Sequence, residues 1–277
     1  DPDAPPPATR PTHGEAAKVV TDPQIPAPAA TPAHAATALS FDGVGLVFPD
    51  GTAALDGIDL QVATGEMVAV VGPSGCGKST LLRLAAGLLR PTAGEMLVPD
   101  DVGYVFQDPT LMPWRTVRRN VALFGELHRL PRAERERRVD EAIDLVGLRG
   151  FERHHPRRLS GGMRMRVSLA RSLLLDPYLF LFDEPFAALD EITRHRLNDE
   201  LDALFVRRGF AGLFITHSVP EAVYLADRVL VMSTRPGRLV HEARVDAPRP
   251  RPDGFRHDAL FTDTVHEISD ALREAIR

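Results

Sequence analysis

The chain has 277 residues, 44% hydrophobic and 26% charged, an ordinary globular composition with room for one large domain or two small ones. Its 38 acidic and 33 basic residues leave a net charge of −5, so no basic field argues for nucleic acid. No apolar run approaches the ~20 residues that span a bilayer, and the single cysteine, Cys76, excludes an internal disulfide framework and points to a reducing compartment.

The chain opens at Asp1 rather than at a methionine, so a processed or trimmed product is expected. No basic start leads into an apolar core, so no secretory signal is expected either. Residues 1–38 are rich in proline and alanine and poor in large apolar side chains, too poor to offset their ordering entropy. A disordered or weakly docked extension is the expectation there. "ALSFDGVGLVF" and "AALDGIDLQVA" then alternate as antiparallel strands do. "EMVAVVG" is a short continuous apolar run, the pattern of a buried strand, and "KSTLLRLAAGLL" follows as a helix. Residues 95–106 give two more short strands. The segment between Gly94 and Tyr104 is short, leaving little room for an antiparallel subdomain. Residues 116 to about 175 read as mostly helical. In "RAERERRVDEAIDLVGL" Val139, Ile143 and Val146 share one face, and Gly147 ends the helix. "YLFLFDEP" and "AGLFITHS" are further buried strands. "RVLVMSTRPGRLVHEARV" reads as strand, turn at Pro236–Gly237 and strand. "APRPRPDG" reads as a linker. Phe261, Val265, Ile268, Leu272 and Ile276 recur at helical spacing in a terminal amphipathic helix. It lacks a strongly basic polar face, so packing on the domain is expected rather than a membrane anchor.

The chemistry concentrates in three places. Gly72, Gly77, Lys78 and Ser79 in "GPSGCGKST" match G-x-x-x-x-G-K-[ST] between a strand and a helix. Such glycines let successive backbone N–H groups turn toward phosphates, while a lysine reaches the β/γ-phosphates and a hydroxyl ligates Mg²⁺. A glycine-rich structural turn is the plain alternative. Cys76 is a small residue in that loop, and bulky alkylation of its thiol is expected to block nucleotide binding. "LFLFDEP" carries Asp183 and Glu184 to the carboxyl end of a buried strand, where open α/β sheets bind ligands. Asp183 would hold Mg²⁺ and Glu184 would act as general base toward water; strand-end solvation is the alternative. "LSGGMRMR" sets Gly161 and Gly162 at the start of an apolar-periodic run, a second anion site at a helix N-terminus. One domain then holds two phosphate sites.

In order along residues 39–246, "GPSGCGKST", the glutamine of "VFQD", "LSGG", "LFLFDEP", "ALD" and the histidine of "ITHS" resemble the ATP-binding subunit of ABC transporters. "LMPW", "DEPFAALDEITR" and "LSGGMRMRVSLARSL" are similar to the nitrate/sulfonate/taurine-type importers. The resemblance implies an α/β P-loop NTPase core with an antiparallel β subdomain and a helical signature subdomain at about 108–170. The ATPase domain would span 39–247, followed by a linker and C-terminal amphipathic helix at 248–277. It implies ATP and Mg²⁺ as cofactors. Gly72, Pro73, Ser74, Gly75, Cys76, Gly77, Lys78, Ser79 and Thr80 would form the cradle, and Ser79, Gln107 and Asp183 the metal site. Glu184, His217, Gln107 and Lys78 would be catalytic.

The resemblance also explains the two phosphate sites. Two subunits pair head to tail, so Ser160, Gly161 and Gly162 would bind the γ-phosphate held by the other subunit, with Asp190 at the dimer interface. Phe48 would stack on adenine, although it could equally be core. Trp114 falls where a membrane subunit's coupling helix docks, as an exposed anchor or a buried residue. Met163 replaces the glutamine usual in the wider family. The implied partners are a second copy, integral-membrane permease subunits and, indirectly, an extracytoplasmic solute-binding protein, with no nucleic acid. The implied place is peripheral, at the cytoplasmic face of the inner or plasma membrane. An exporter or other membrane-associated complex is the main alternative. A soluble DNA-repair or translation ATPase is a further one, disfavoured by a single domain without sustained heptads.

Overall fold

A computed structural model describes residues 36–276; the Pro/Ala-rich stretch before them, and the expectation of disorder there, lie outside the described residues. β1 (Thr37–Val47) and β2 (Ala53–Ala63) pair antiparallel, with inward residues such as Leu39, Phe41 and Val44 buried and outward ones exposed. β3 (Met67–Val71) leads through the glycine loop into α1 (Lys78–Ala85). The helix stops a turn before the end of its apolar run. Gly87 takes φ +67°, and the N–H groups of Leu88 and Gly87 close back on the Arg83 and Leu84 carbonyls at 2.9 and 2.8 Å. β4 (Ala93–Leu97) then joins the free edge of β1, giving a three-stranded sheet in the order β2-β1-β4. The short segment at Gly94–Tyr104 therefore still serves two sheets, because β5 (Val102–Val105) crosses into the other one.

A helical layer follows: α2 (Val117–Val121), α3 (Leu123–Leu127), α4 (Arg132–Leu145) and α5 (Gly161–Leu173). Val139 and Ile143 of α4 are buried, and Gly147 at φ +65° terminates it. β6 (Leu179–Asp183), α6 (Glu191–Arg208), β7 (Ala211–Thr216), α7 (Val219–Leu225), β8 (Arg228–Met232) and β9 (Leu239–Arg244) complete the second sheet. Its order is β5-β6-β7-β3-β8-β9, parallel except for β9, which returns antiparallel to β8. Strand β3 lies between two neighbours and under two layers, so all five of its residues are buried. Met67, Ala69 and Val71 pack with the helical layer, while Val68 and Val70 pack with α1 and the antiparallel sheet. The same alternation divides Phe180 and Phe182 from Leu179 and Leu181 on β6. This is the arrangement the resemblance implies: an α/β core carrying an antiparallel sheet and a helical subdomain.

The segment "APRPRPDG" is more than a connector. Arg251 is 6% exposed and donates to the Tyr224 carbonyl at 3.0 Å, and its backbone N–H donates to Asp202 at 2.7 Å. Arg249 pairs with Asp227 at 2.7 Å and also with Asp202. Desolvation dominates at Arg251 and lowers its pKa to about 10. Three prolines and two arginines look like solvated linker in sequence, yet the buried Asp202, the half-buried Asp227 and free carbonyls draw both guanidiniums inward. Beyond it α8 (Ala259–Ala275) buries Phe261 and Ile268, while Val265 and Leu272 pack at the margin and Ile276 is exposed. Its apolar stripe packs on the domain. Among the described residues no helix is long and apolar enough to cross a membrane.

Candidate functional site

The loop after β3 is shaped by steric necessity. Gly75 sits at φ +78° and Gly77 at φ +111°. A Cβ at Gly77 would lie 2.8 Å from the Leu55 side chain, and one at Gly72 would lie 2.8 Å from Cys76 Sγ. Only glycine fits either position. Gly77 is the N-cap of α1 and offers no side-chain cap, which leaves the first-turn N–H groups free for an anion. Lys78 is 6% exposed, and its ammonium donates to the Gly72 and Pro73 carbonyls at 2.8 and 3.0 Å.

The cleft in front of this loop measures about 460 Å³. Phe48, Ser74, Gly75, Gly77, Lys78, Ser79, Thr80 and Glu184 all line it, so the aromatic, the cradle and the candidate base converge on one space. Gly72, Pro73 and Cys76 contribute backbone to the loop without lining the cleft. Cys76 is 1% exposed, and burial raises its thiol pKa. Direct alkylation is therefore not the probe of the cleft that the sequence suggested, since a buried, protonated thiol is inert.

Asp183 ends β6 beside the cradle. Its carboxylate accepts from the Ser79 hydroxyl at 3.5 Å and from the Tyr104 hydroxyl at 3.3 Å, and burial pushes its pKa up. A hydroxyl and a carboxylate facing each other make a hard-oxygen pair of the kind Mg²⁺ takes while keeping water and phosphate ligands. The donor set fits the ion. Gln107 lies two residues beyond the end of β5, the strand neighbouring β6, and is exposed.

Glu184 holds φ +44°, an unusual conformation for a residue with a side chain. Its N–H donates to the Ile215 carbonyl at 2.9 Å, which ties it to β7. His217 leaves the end of β7, and its Nδ1 lies 2.8 Å from Glu184 Oε2. Behind it the Thr216 hydroxyl donates to Glu221, a carboxylate 5% exposed whose pKa burial raises.

Other residues stand apart from this cleft. Ser160 is exposed and caps α5, accepting from the Met163 N–H at 3.2 Å. Gly161 and Gly162 have a packing reason to be glycine. Cβ atoms there would lie 3.0 Å from Leu189 and 2.9 Å from Thr193. Gly162 is buried against α6 rather than facing solvent. Asp190 caps α6 by accepting from the Thr193 N–H at 2.9 Å. Trp114 is 71% exposed, which decides between the two readings of it. The Asn120 amide pins its loop, accepting from Met112 N–H at 2.8 Å and donating to the Met112 carbonyl at 3.2 Å.

Three residues at the site carry no signal in the sequence. Tyr104 is hidden as one more apolar member of a short strand. Glu221 is one acid among many on a helix. Arg235, in the turn after β8, lines the cleft and donates from Nε to the Gly75 carbonyl at 2.8 Å.

A parallel sheet with a glycine cradle at one strand end and Asp-Glu at a neighbouring one defines a P-loop ATPase. The chain belongs to the ABC transporter family, as ATP-binding proteins: the family profile matches residues 55–187. It is 50% identical over 231 residues to an uncharacterised ABC transporter ATP-binding protein of Methanocaldococcus jannaschii, covering 80% of this chain and 85% of that one. It is 44% identical to an aliphatic sulfonates import ATP-binding protein of Xanthomonas axonopodis pv. citri, covering 78% and 88%. Among solved structures it is similar to a part of an ABC transporter complex from Clostridium perfringens, with TM-score 0.70, 28% identity and coverage of 76% and 89%. It is also similar to a dimeric ATP-binding cassette in a post-hydrolysis state bound to ADP and Pi, with TM-score 0.64, 29% identity and coverage of 76% and 100%.

Proposed function

We propose that this chain powers import of an aliphatic sulfonate, or a related small anion of the nitrate/taurine class, through separate membrane permease subunits. Several relatives named as aliphatic sulfonate import proteins, 43–48% identical, support the solute class. An extracytoplasmic solute-binding protein would deliver the solute, and the ATPase would sit peripherally on the cytoplasmic face. Exposed Trp114, on a loop braced by Asn120, is the surface offered to the permease.

The observation that carries the ATPase mechanism is the convergence of Phe48, Lys78, Ser79 and Glu184 on one cleft. Phe48 would stack on adenine, and the cradle N–H groups with Lys78 would hold the phosphates. Ser79, Asp183 and Gln107 would hold Mg²⁺, which when bound neutralises phosphate charge. Glu184 would accept a proton from the attacking water, and His217, already in contact with it, would keep its carboxylate aimed. Phosphoryl transfer to water is mostly positioning and charge stabilisation, so a donor that arrives only on closure makes turnover conditional. Ser160, exposed, and the half-buried Gly161 that opens α5 lie outside the cleft. They would be that donor, reaching the nucleotide of a second copy in a head-to-tail dimer. Asp190 would lie at the same interface.

The test is a pull-down from solubilised membranes with tagged Glu184→Gln protein and ATP. Recovery of a multi-span membrane protein and a second copy supports the reading. Recovery of ribosomal or nucleic-acid factors in their place overturns it.

A further inference from the structure

The turn at Pro236–Gly237 has no part in the mechanism above, yet it lies along the outer side of the cradle. The Met232 backbone and side chain approach the Gly72 position, at 3.0 and 3.1 Å from where a Cβ would stand. Gly237 is so close to the Cys76 carbonyl that a Cβ there would overlap it at 2.2 Å. The turn is in turn fixed to β2. Gly237 N–H donates to the Ala54 carbonyl and Asp56 N–H to the Gly237 carbonyl, both at 3.0 Å. Arg238 Nε adds a bond to the Asp56 carboxylate at 3.0 Å, and Thr234 N–H reaches the Ala275 carbonyl at the end of α8 at 3.4 Å.

From this braced turn Arg235 projects onto the loop. Its Nε donates to the Gly75 carbonyl at 2.8 Å, at the residue whose φ of +78° bends the loop. Arg235 also lines the same cleft as Lys78, with its guanidinium beside Gly75: Nη2 lies 3.4 Å from where a Cβ there would stand. We infer that Arg235 is a positioning residue for the nucleotide: it holds the Gly75 peptide in place and adds a second fixed positive charge at the phosphate end of the cleft. The inference rests on the nucleotide reading of that cleft. A carbonyl turned outward and bonded to a guanidinium leaves the loop's N–H side free for phosphate oxygens. Lys78, buried, shares its ammonium between two loop carbonyls and the phosphates, so a second cation adds to it. Arg235 is exposed, so its replacement leaves folding intact.

The experiment compares purified wild type, Arg235→Gln, Arg235→Lys and, as control, Lys78→Ala, with ATP and Mg²⁺. Nucleotide affinity is measured at low and high salt, and KM and kcat from hydrolysis. Losing one charge-assisted bond and one charge predicts roughly a tenfold rise in Kd and KM for Arg235→Gln. Its kcat at saturation should fall by less than about threefold, since Lys78 and Glu184 remain, and its affinity should depend less on salt. Arg235→Lys restores the charge without the planar fork and should recover part of the loss. Unchanged Kd, KM and salt dependence in Arg235→Gln, with Lys78→Ala abolishing binding, overturns the inference alone. If Lys78→Ala also binds ATP normally, the nucleotide reading of the cleft fails with it.

Discussion

The two regions with phosphate-binding motifs are built on different principles. At the cradle, φ values of +78° and +111° and a Lys78 turned back on its own loop present N–H groups to a cleft that the same chain walls with Phe48 and Glu184. At the signature, Ser160 caps α5 with an oxygen lone pair and keeps its O–H free, and Gly161 and Gly162 are small because Leu189 and Thr193 press on them. The first region is a site by itself. The second is a helix N-terminus with one exposed residue and no walls. A motif can thus specify a pocket or only a surface that becomes a pocket when something else arrives.

The sharpest way to break this comparison is at Glu184, which belongs wholly to the walled region. Glu184→Gln should cut ATP turnover by ~10² or more while leaving nucleotide affinity within about threefold, because the amide keeps the shape and loses the proton acceptor. Near-normal phosphate release in a single-turnover assay would remove Glu184 as the base. Next comes the unwalled region. Ser160→Arg should lower turnover by roughly a hundredfold, as the loss of a positioned transition-state donor does, with monomer affinity for ATP unchanged. Light scattering should show no ATP-dependent dimer. A Ser160→Arg protein that still dimerises on ATP would show that the two regions do not meet between subunits. Phe48→Ala should have a smaller effect, about tenfold on ATP affinity, with no loss of tripolyphosphate binding. Equal loss for both ligands would mean that Phe48 supports the fold rather than adenine.

The parallel sheet was legible because Met67–Val71, Leu179–Asp183 and Ala211–Thr216 are continuous apolar runs, and burial on both faces leaves a strand no polar positions. The cradle was legible because only glycine tolerates its backbone. The α6 helix was not, since its buried residues Leu197, Leu201, Leu204 and Phe205 are spread among arginines and acids that face solvent. Nor was the docking of the C-terminal arm. Arg249 and Arg251 read as solvated charges, and what buries them is Asp202, some 47 and 49 residues away. Arg235 was hidden for the same reason, its partner Gly75 being 160 residues distant. Local patterns report covalent neighbours and one face of an element. They do not report which distant carboxylate or carbonyl an arginine will find.

The smallest effect expected lies behind the walled region, where His217 is exposed and its neighbour's partner Glu221 is buried. Burial raises the Glu221 pKa above the ordinary carboxylate range, against the lowering effect of the Thr216 bond. The folded state therefore favours the protonated acid. The stability tied to that proton is fully present below the unfolded pKa and is lost as pH rises through the raised, folded value. Glu221→Gln carries no charge at any pH, so it escapes this loss. Its Oε1 can still accept from Thr216, and whatever its amide costs in the space where Glu221 Oε1 has no partner is the same at every pH. The difference in melting temperature between variant and wild type should then grow in the variant's favour by about 2–4 °C from about pH 4.5 to about pH 8. Asp183, also raised by burial, titrates in both proteins and cancels in the difference. A gap independent of pH would mean that Glu221 keeps its charge in the folded protein, held there by the Thr216 bond and by Arg194, which oppose the burial penalty.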